Sequence, residues 1–171
     1  MSYMKVKVFD SAKSDIEDIR ATLKEYGKVP SNKFCNITTA VLRSDKLAMK
    51  KITSLDQLNI PTHYKGFLTH FLYNVSKVDY VSRVILFGSC ARGQMQDRSD
   101  IDLLVITNDG ISLEDEFHIM NDCAPNGEDQ FYVPADIIVD PIGNYERFRH
   151  SIGMMQRAVE REGVDLSELL R

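Results

Sequence analysis

The spacing of apolar positions changes along the chain, and the change divides it. Near the start, Met4, Val6 and Val8 alternate with Lys5 and Lys7, the two-residue period of a half-exposed strand with lysines on its solvent side. Ile16, Ile19, Leu23 and Tyr26 then recur at helical spacing, with Ser14 and Glu17 placed as a capping box and Gly27 and Pro30 as a stop. A less regular stretch around Ile37, Val41 and Leu47 predicts a second helix. Phe67, Leu68, Phe71, Leu72 and Val75 form one stripe of a third helix capped by Thr62, and aromatics at that spacing read as core.

After Tyr80 the pattern turns to strands. Val84-Ile85-Leu86-Phe87 is an unbroken apolar run closed by Gly88, as expected of a strand buried on both faces. Residues 100–107 predict a second strand, ended by the turn residues Asn108-Asp109-Gly110. Residues 112–121 predict a helix, and residues 131–139 a third strand ending at Asp140-Pro141. From Tyr145 to about Val164 the pattern is helical, with Ile152, Met155 and Val159 on one face.

Composition narrows the classes. A chain of 171 residues, 43% hydrophobic and 27% charged, suits a soluble globule with a core of its own. No apolar run approaches the roughly 18 residues of a membrane span, and Met1-Ser2-Tyr3-Met4-Lys5 lacks the apolar core of a signal peptide. Cys35, Cys90 and Cys123 are odd in number and scattered, and His63, His70, His118 and His150 give no close Cys/His pairing. A disulfide framework or zinc site is therefore not expected, and the expected compartment is the reducing cytoplasm.

The net charge of −4 conceals an asymmetry. Residues 1–80 hold 13 Lys/Arg against 8 Asp/Glu, residues 81–171 hold 8 against 17, and no lysine follows Lys77. This excludes a uniformly basic nucleic-acid binder. Lys46, Lys50 and Lys51 lack interleaved aromatics and read as a solvated face, so a nucleic-acid polymer is not an expected partner. Glu114-Asp115-Glu116 likewise reads as an exposed helix face.

The chemistry concentrates between two predicted strands. Gly88-Ser89 ends one, and Asp100-Ile101-Asp102 opens the next. Alternation along a strand puts Asp100 and Asp102 on one face, where their mutual repulsion is relieved by a bound divalent cation. Gly88 lets a phosphate approach the backbone, and Ser89 is placed to cap a short helix through Cys90-Ala91-Arg92 and offer its hydroxyl. A phosphate cradle beside paired carboxylates is equipment for metal-assisted phosphoryl or nucleotidyl transfer. Asp136, at the start of the third apolar run, is the preferred third carboxylate; Asp140, four residues along on the same face, is its rival. Taken alone, an Asp-x-Asp is more readily a solvated strand end or a turn, so the reading rests on the whole set.

Leu86-Phe87-Gly88-Ser89-Cys90-Ala91-Arg92-Gly93 followed by Ser99-Asp100-Ile101-Asp102-Leu103-Leu104-Val105 resembles the signature of the DNA polymerase beta-like nucleotidyltransferase superfamily, nearest its minimal nucleotidyltransferase type. The resemblance covers roughly residues 66–165. It implies an α+β nucleotidyltransferase fold, a small mixed sheet flanked by helices, over residues 62–171, with residues 1–61 as an N-terminal, mainly helical extension. It implies that Asp100 and Asp102 ligate two Mg²⁺ ions and that Gly88 and Ser89 hold a nucleoside triphosphate, ATP above all. It further implies that Asp136 completes the metal shell and helps deprotonate the attacking hydroxyl. Arg92 either touches phosphate or anchors its loop through a salt bridge. The implied acceptor is a protein, as in members paired with helical HEPN-type toxins, or a small molecule, as in antibiotic-modifying relatives. The alternative is a non-catalytic protein of the same fold that masks a HEPN-type partner.

Overall fold

The computed structural model describes residues 49–96, 99–127, 129–151 and 153–170. The strand expected at 4–8 and the helices expected at 14–26 and around 37–47 lie outside the described residues. Within them the order is β1 (Lys50–Lys51), a 3₁₀ turn (Leu55–Gln57), α1 (Thr62–Val75), β2 (Val81–Phe87), α2 (Gly88–Arg92) and β3 (Ile101–Thr107). Then come α3 (Leu113–Phe117), a π turn (His118–Asp122), β4 (Ala135–Pro141), α4 (Ile142–Phe148), α5 (Met155–Glu162), β5 (Val164–Asp165) and a closing 3₁₀ turn (Ser167–Leu170).

The five strands form one mixed sheet in the order β1-β5-β2-β3-β4. The hairpin partners β2 and β3 run antiparallel, β4 adds parallel to β3, β5 pairs antiparallel with β2, and β1 pairs parallel with β5. The apolar runs of β2 and β3 find their reason here: Val84, Ile85 and Leu86, and five of the seven β3 residues from Ile101 to Ile106, are fully buried apolar side chains. Val84, Leu86, Ile101, Leu103 and Val105 pack on one face with Phe67, Leu68, Phe71, Leu72 and Val75 of α1. Ile85, Leu104 and Ile106 pack on the other with Tyr145 of α4 and Val159 of α5.

Several boundaries differ from the pattern reading. Pro61, with φ −59°, takes the N-cap of α1, and Thr62 is its first helical residue. The third strand begins at Ala135, after turn residues 131–132. The expected continuous helix from 145 to 164 is two helices, broken around Gly153, whose φ of +82° no right-handed helix admits. Val164 is in β5, and residues of the expected extension join the sheet: Lys50–Lys51 form its edge, while Ile52, Leu58 and Ile60 enter the main core.

No helix among the described residues is long and apolar enough to cross a membrane.

Candidate active site

The end of β2, the start of β3 and the start of β4 meet at one side of the sheet. Register sets Phe87 opposite Asp102 on β2 and β3, and Asp102 opposite Asp136 on β3 and β4. Directly paired residues on neighbouring strands point to the same face, so the two carboxylates stand side by side. That face is the one covered by α4 and α5. The start of β3 is held from beneath. The Tyr64 hydroxyl donates to the Ser99 carbonyl at 2.6 Å, and the buried Cys90 thiol donates to the Asp100 carbonyl at 3.4 Å.

A cleft of about 660 Å³ opens over the two carboxylates. Phe87, Gln94, Ile138, Glu162 and, on the approach to and first turn of α5, Gly153, Met154, Met155 and Ala158 line it, together with Gly88, Arg92, Asp102 and Asp136. Of the residues singled out from sequence, these four are brought together. Asp100 and Ser89 are not among the lining side chains. Asp100 stands exposed at the mouth of β3, near enough for its charge to act on Asp102, and Ser89 is half-buried.

Ser89 is also not the cap that its position suggested. Phe87 is the N-cap of α2, and Ser89 is one residue inside the helix, so a backbone turn at Gly88, not a serine cap, starts the helix. Gly88 has φ +69°, and a methyl group built on it would lie 1.9 Å from Asp102 Oδ2. The glycine is thus required twice over: by its left-handed backbone and by the carboxylate resting on it.

The charge state of Asp102 reflects this crowding. Burial pushes its carboxyl above the ordinary carboxylate range, the Asp136 and Asp100 carboxylates push it the same way, and the Arg92 guanidinium opposes them. A cation beside these carboxylates would relieve the repulsion. No three His, Cys, Asp or Glu side chains among the described residues converge closely enough to hold a metal ion by themselves. Two aligned carboxylates with open space before them instead fit a hard cation such as Mg²⁺ that completes its sphere with phosphate oxygens and water. Asp102 and Asp136 are the residues that could hold it.

Asp140 follows Asp136 on the same face but has another role. It is buried, pairs in register with Ile106, and accepts hydrogen bonds from Asn144 Nδ2 at 2.5 Å and Gln156 Nε2 at 2.9 Å. Both of its oxygens are occupied by the helices packed over it. Arg92 makes the salt bridge that was one of its two readings: Nη1 lies 3.0 Å from Glu162 Oε2, and Nε donates to Gln94 Oε1 at 3.2 Å. It also lines the cleft. Sequence reasoning missed Glu162 and Gln94. Glu162 sits 70 residues from its partner, at the end of an amphipathic helix where a glutamate reads as surface.

The chain is similar to three kinds of known protein sequence or structure. A protein of Methanocaldococcus jannaschii, provisionally named a protein adenylyltransferase, is 33% identical over 64 residues, 37% of this chain; the match spans 60% of that protein's length. A crystal structure assigned provisionally as a nucleotidyltransferase, from Sulfolobus solfataricus, aligns at 20% identity and a TM-score of 0.34, over 52% of this chain and 83% of that one. Residues 70–152, which include Gly88, Asp100, Asp102 and Asp136, match the family described as polymerase beta, nucleotidyltransferase.

Proposed function

We propose that the protein is a Mg²⁺-dependent nucleotidyltransferase that moves AMP from ATP to a hydroxyl group of an acceptor and releases pyrophosphate. The observation that carries this reading is the alignment of Asp102 with Asp136 across β3 and β4, at the floor of a cleft entered over Gly88. A bound pair of Mg²⁺ ions would supply charge neutralisation of the triphosphate and of the oxygens that enter and leave the α-phosphorus.

The chain's own residues supply position and proton transfer. Asp102 and Asp136 hold the cation side of the substrate, with Asp100 adding negative charge at the mouth. Gly88, lacking a side chain, leaves room for the Asp102 carboxylate against the start of α2, and Ser89 contributes its place at the first turn of that helix. Asp136, the more exposed of the two lining aspartates, accepts the proton of the attacking hydroxyl. The acceptor oxygen forms a bond to the α-phosphorus, the bond to the bridging oxygen breaks, and pyrophosphate departs with that electron pair. The M. jannaschii relative's name favours a protein hydroxyl, from Ser, Thr or Tyr, as the acceptor.

Incubating the chain with ATP labelled at the α- or the γ-phosphate, Mg²⁺ and candidate acceptors tests this directly. Label from the α-position is expected on an acceptor, with γ-label recovered only in pyrophosphate. Transfer of γ-label would make the protein a kinase and overturn the reading.

A further inference from the structure

The cleft holds a charge arrangement that the transfer chemistry does not by itself require. Asp102, Asp136 and Glu162 bring three carboxylates to it, and Arg92 is its one cationic side chain among the described lining residues. An arginine there has two poor fates. Its side chain is long and rich in rotamers, and at 41% exposure it could spend its time in solvent. Alternatively it could fold onto Asp102, whose charge already feels it, and so occupy a carboxylate meant for a cation.

Neither occurs. Glu162 takes Nη1 at 3.0 Å and Gln94 takes Nε at 3.2 Å, so the guanidinium plane is fixed at two points. Glu162 is itself well anchored as the last residue of α5. The chain after it is pressed against β2 so closely that a methyl on Gly163 would lie 2.7 Å from the Ile85 side chain. A pair this exposed, 41% and 32%, adds little to stability, so its place in the cleft is not explained by folding.

We infer that Glu162 is a positioning residue for the triphosphate: it holds Arg92 on the α2–α5 side of the cleft as a ready hydrogen-bond donor to phosphate oxygens and keeps it off Asp102 and Asp136. The inference rests on the nucleotidyltransferase reading of the cleft and extends it to a residue beyond the region matched to the family. A pre-oriented guanidinium spares the ligand the cost of ordering a long side chain, and its remaining N–H groups suit phosphate oxygens.

The test is calorimetric titration in Mg²⁺ buffer with inorganic tripolyphosphate and, separately, with adenosine, on the unaltered chain, E162Q, R92A and the double variant. E162Q is expected to weaken tripolyphosphate about 3- to 10-fold, the equivalent of ordering one long side chain on binding. Adenosine binding and the melting temperature should stay essentially unchanged, and E162Q should cost nothing further once Arg92 is absent. Tighter tripolyphosphate binding in E162Q would show a carboxylate that only repels the anion, and would overturn the inference. An equal loss in the R92A background, or an equal loss for adenosine, would overturn it as well. Failure of the unaltered chain to bind any triphosphate would remove the reading of the cleft itself, and this role of Glu162 with it.

Discussion

Replacing Gly88 by alanine asks whether the backbone turn and the Asp102 carboxylate are one device. The structure fixes two separate costs. The residue has φ +69°, and an L-residue held in the left-handed region costs about 1–2 kcal/mol. The new methyl would stand 1.9 Å from Asp102 Oδ2, 2.7 Å from its Cγ and 3.2 Å from its Cβ, so the carboxylate must rotate away. An off-rotamer side chain adds about 0.5–1.5 kcal/mol. The sum, about 1.5–3.5 kcal/mol, is less than the 5–15 kcal/mol by which domains are usually stable. G88A should therefore fold, melt roughly 3–14 °C lower, and lose nucleotidyl transfer by about 100-fold or more, because Asp102 no longer faces Asp136. Gly93 supplies the control. It has φ +65°, yet a methyl there meets nothing within 4 Å. G93A should bear the backbone cost alone, about 1–2 kcal/mol, and keep its activity per folded molecule. Thermal melts by circular dichroism and transfer of α-label from ATP read the two quantities on the same samples. Full turnover in G88A, or equal loss of turnover in both variants, would refute the reasoning.

Three further outcomes follow from the charges. Asp102 has its carboxyl raised above 3.8 by burial and by Asp136 and Asp100, so ionisation at neutral pH costs the fold stability; D102N should melt higher than the unaltered chain at pH 7, with the difference shrinking as pH falls to 3.8 and below. Mg²⁺ should raise the melting temperature of the unaltered chain and not of D102N. Asp165 behaves in the opposite sense: burial pushes its carboxyl up, but the Ser167 hydroxyl and N–H and the Arg83 guanidinium together hold it below 3.8. Its contribution is full above pH 3.8 and is lost as pH falls below that value, so D165N should destabilise at neutral pH and flatten the acid limb of the stability curve. D140N turns an amide toward a buried donor and should cost about 1–3 kcal/mol, with transfer per folded molecule unchanged. Lost transfer at an unchanged melting temperature would instead make Asp140 the third carboxylate.

What was legible in the sequence was what depends on local pattern and short spacing. The α1 stripe and the β2 and β3 runs follow from the hydrophobic period, and Gly88, Asp102 and Asp136 follow from their places at strand ends. What was not legible depends on partners far along the chain. β5 is two residues long, with no period to detect, and exists because Ile85 and Leu86 of β2 offer it a ladder. β1 exists only because β5 does. The break before α5 turns on Gly153, which a sequence with apolar residues at helical spacing on both sides conceals. Ser89 looked like a cap because serine usually is one, but the helix starts two residues earlier, with Phe87 as its cap and Gly88, at positive φ, as its first residue. Glu162 carried no local signal, since its meaning comes from Arg92 on another element.

The central claim, that the aligned carboxylates of β3 and β4 perform nucleotidyl transfer, is tested most directly by the double variant D102N/D136N. Both changes keep side-chain size, and Asp136 stands exposed while Asp102 gains stability from losing its charge. The protein should therefore fold at least as well as the unaltered chain. With α-labelled ATP, Mg²⁺ and an acceptor that the unaltered chain labels, the double variant should be folded and its transfer reduced to background. A folded double variant that still labels the acceptor at the original rate would contradict it.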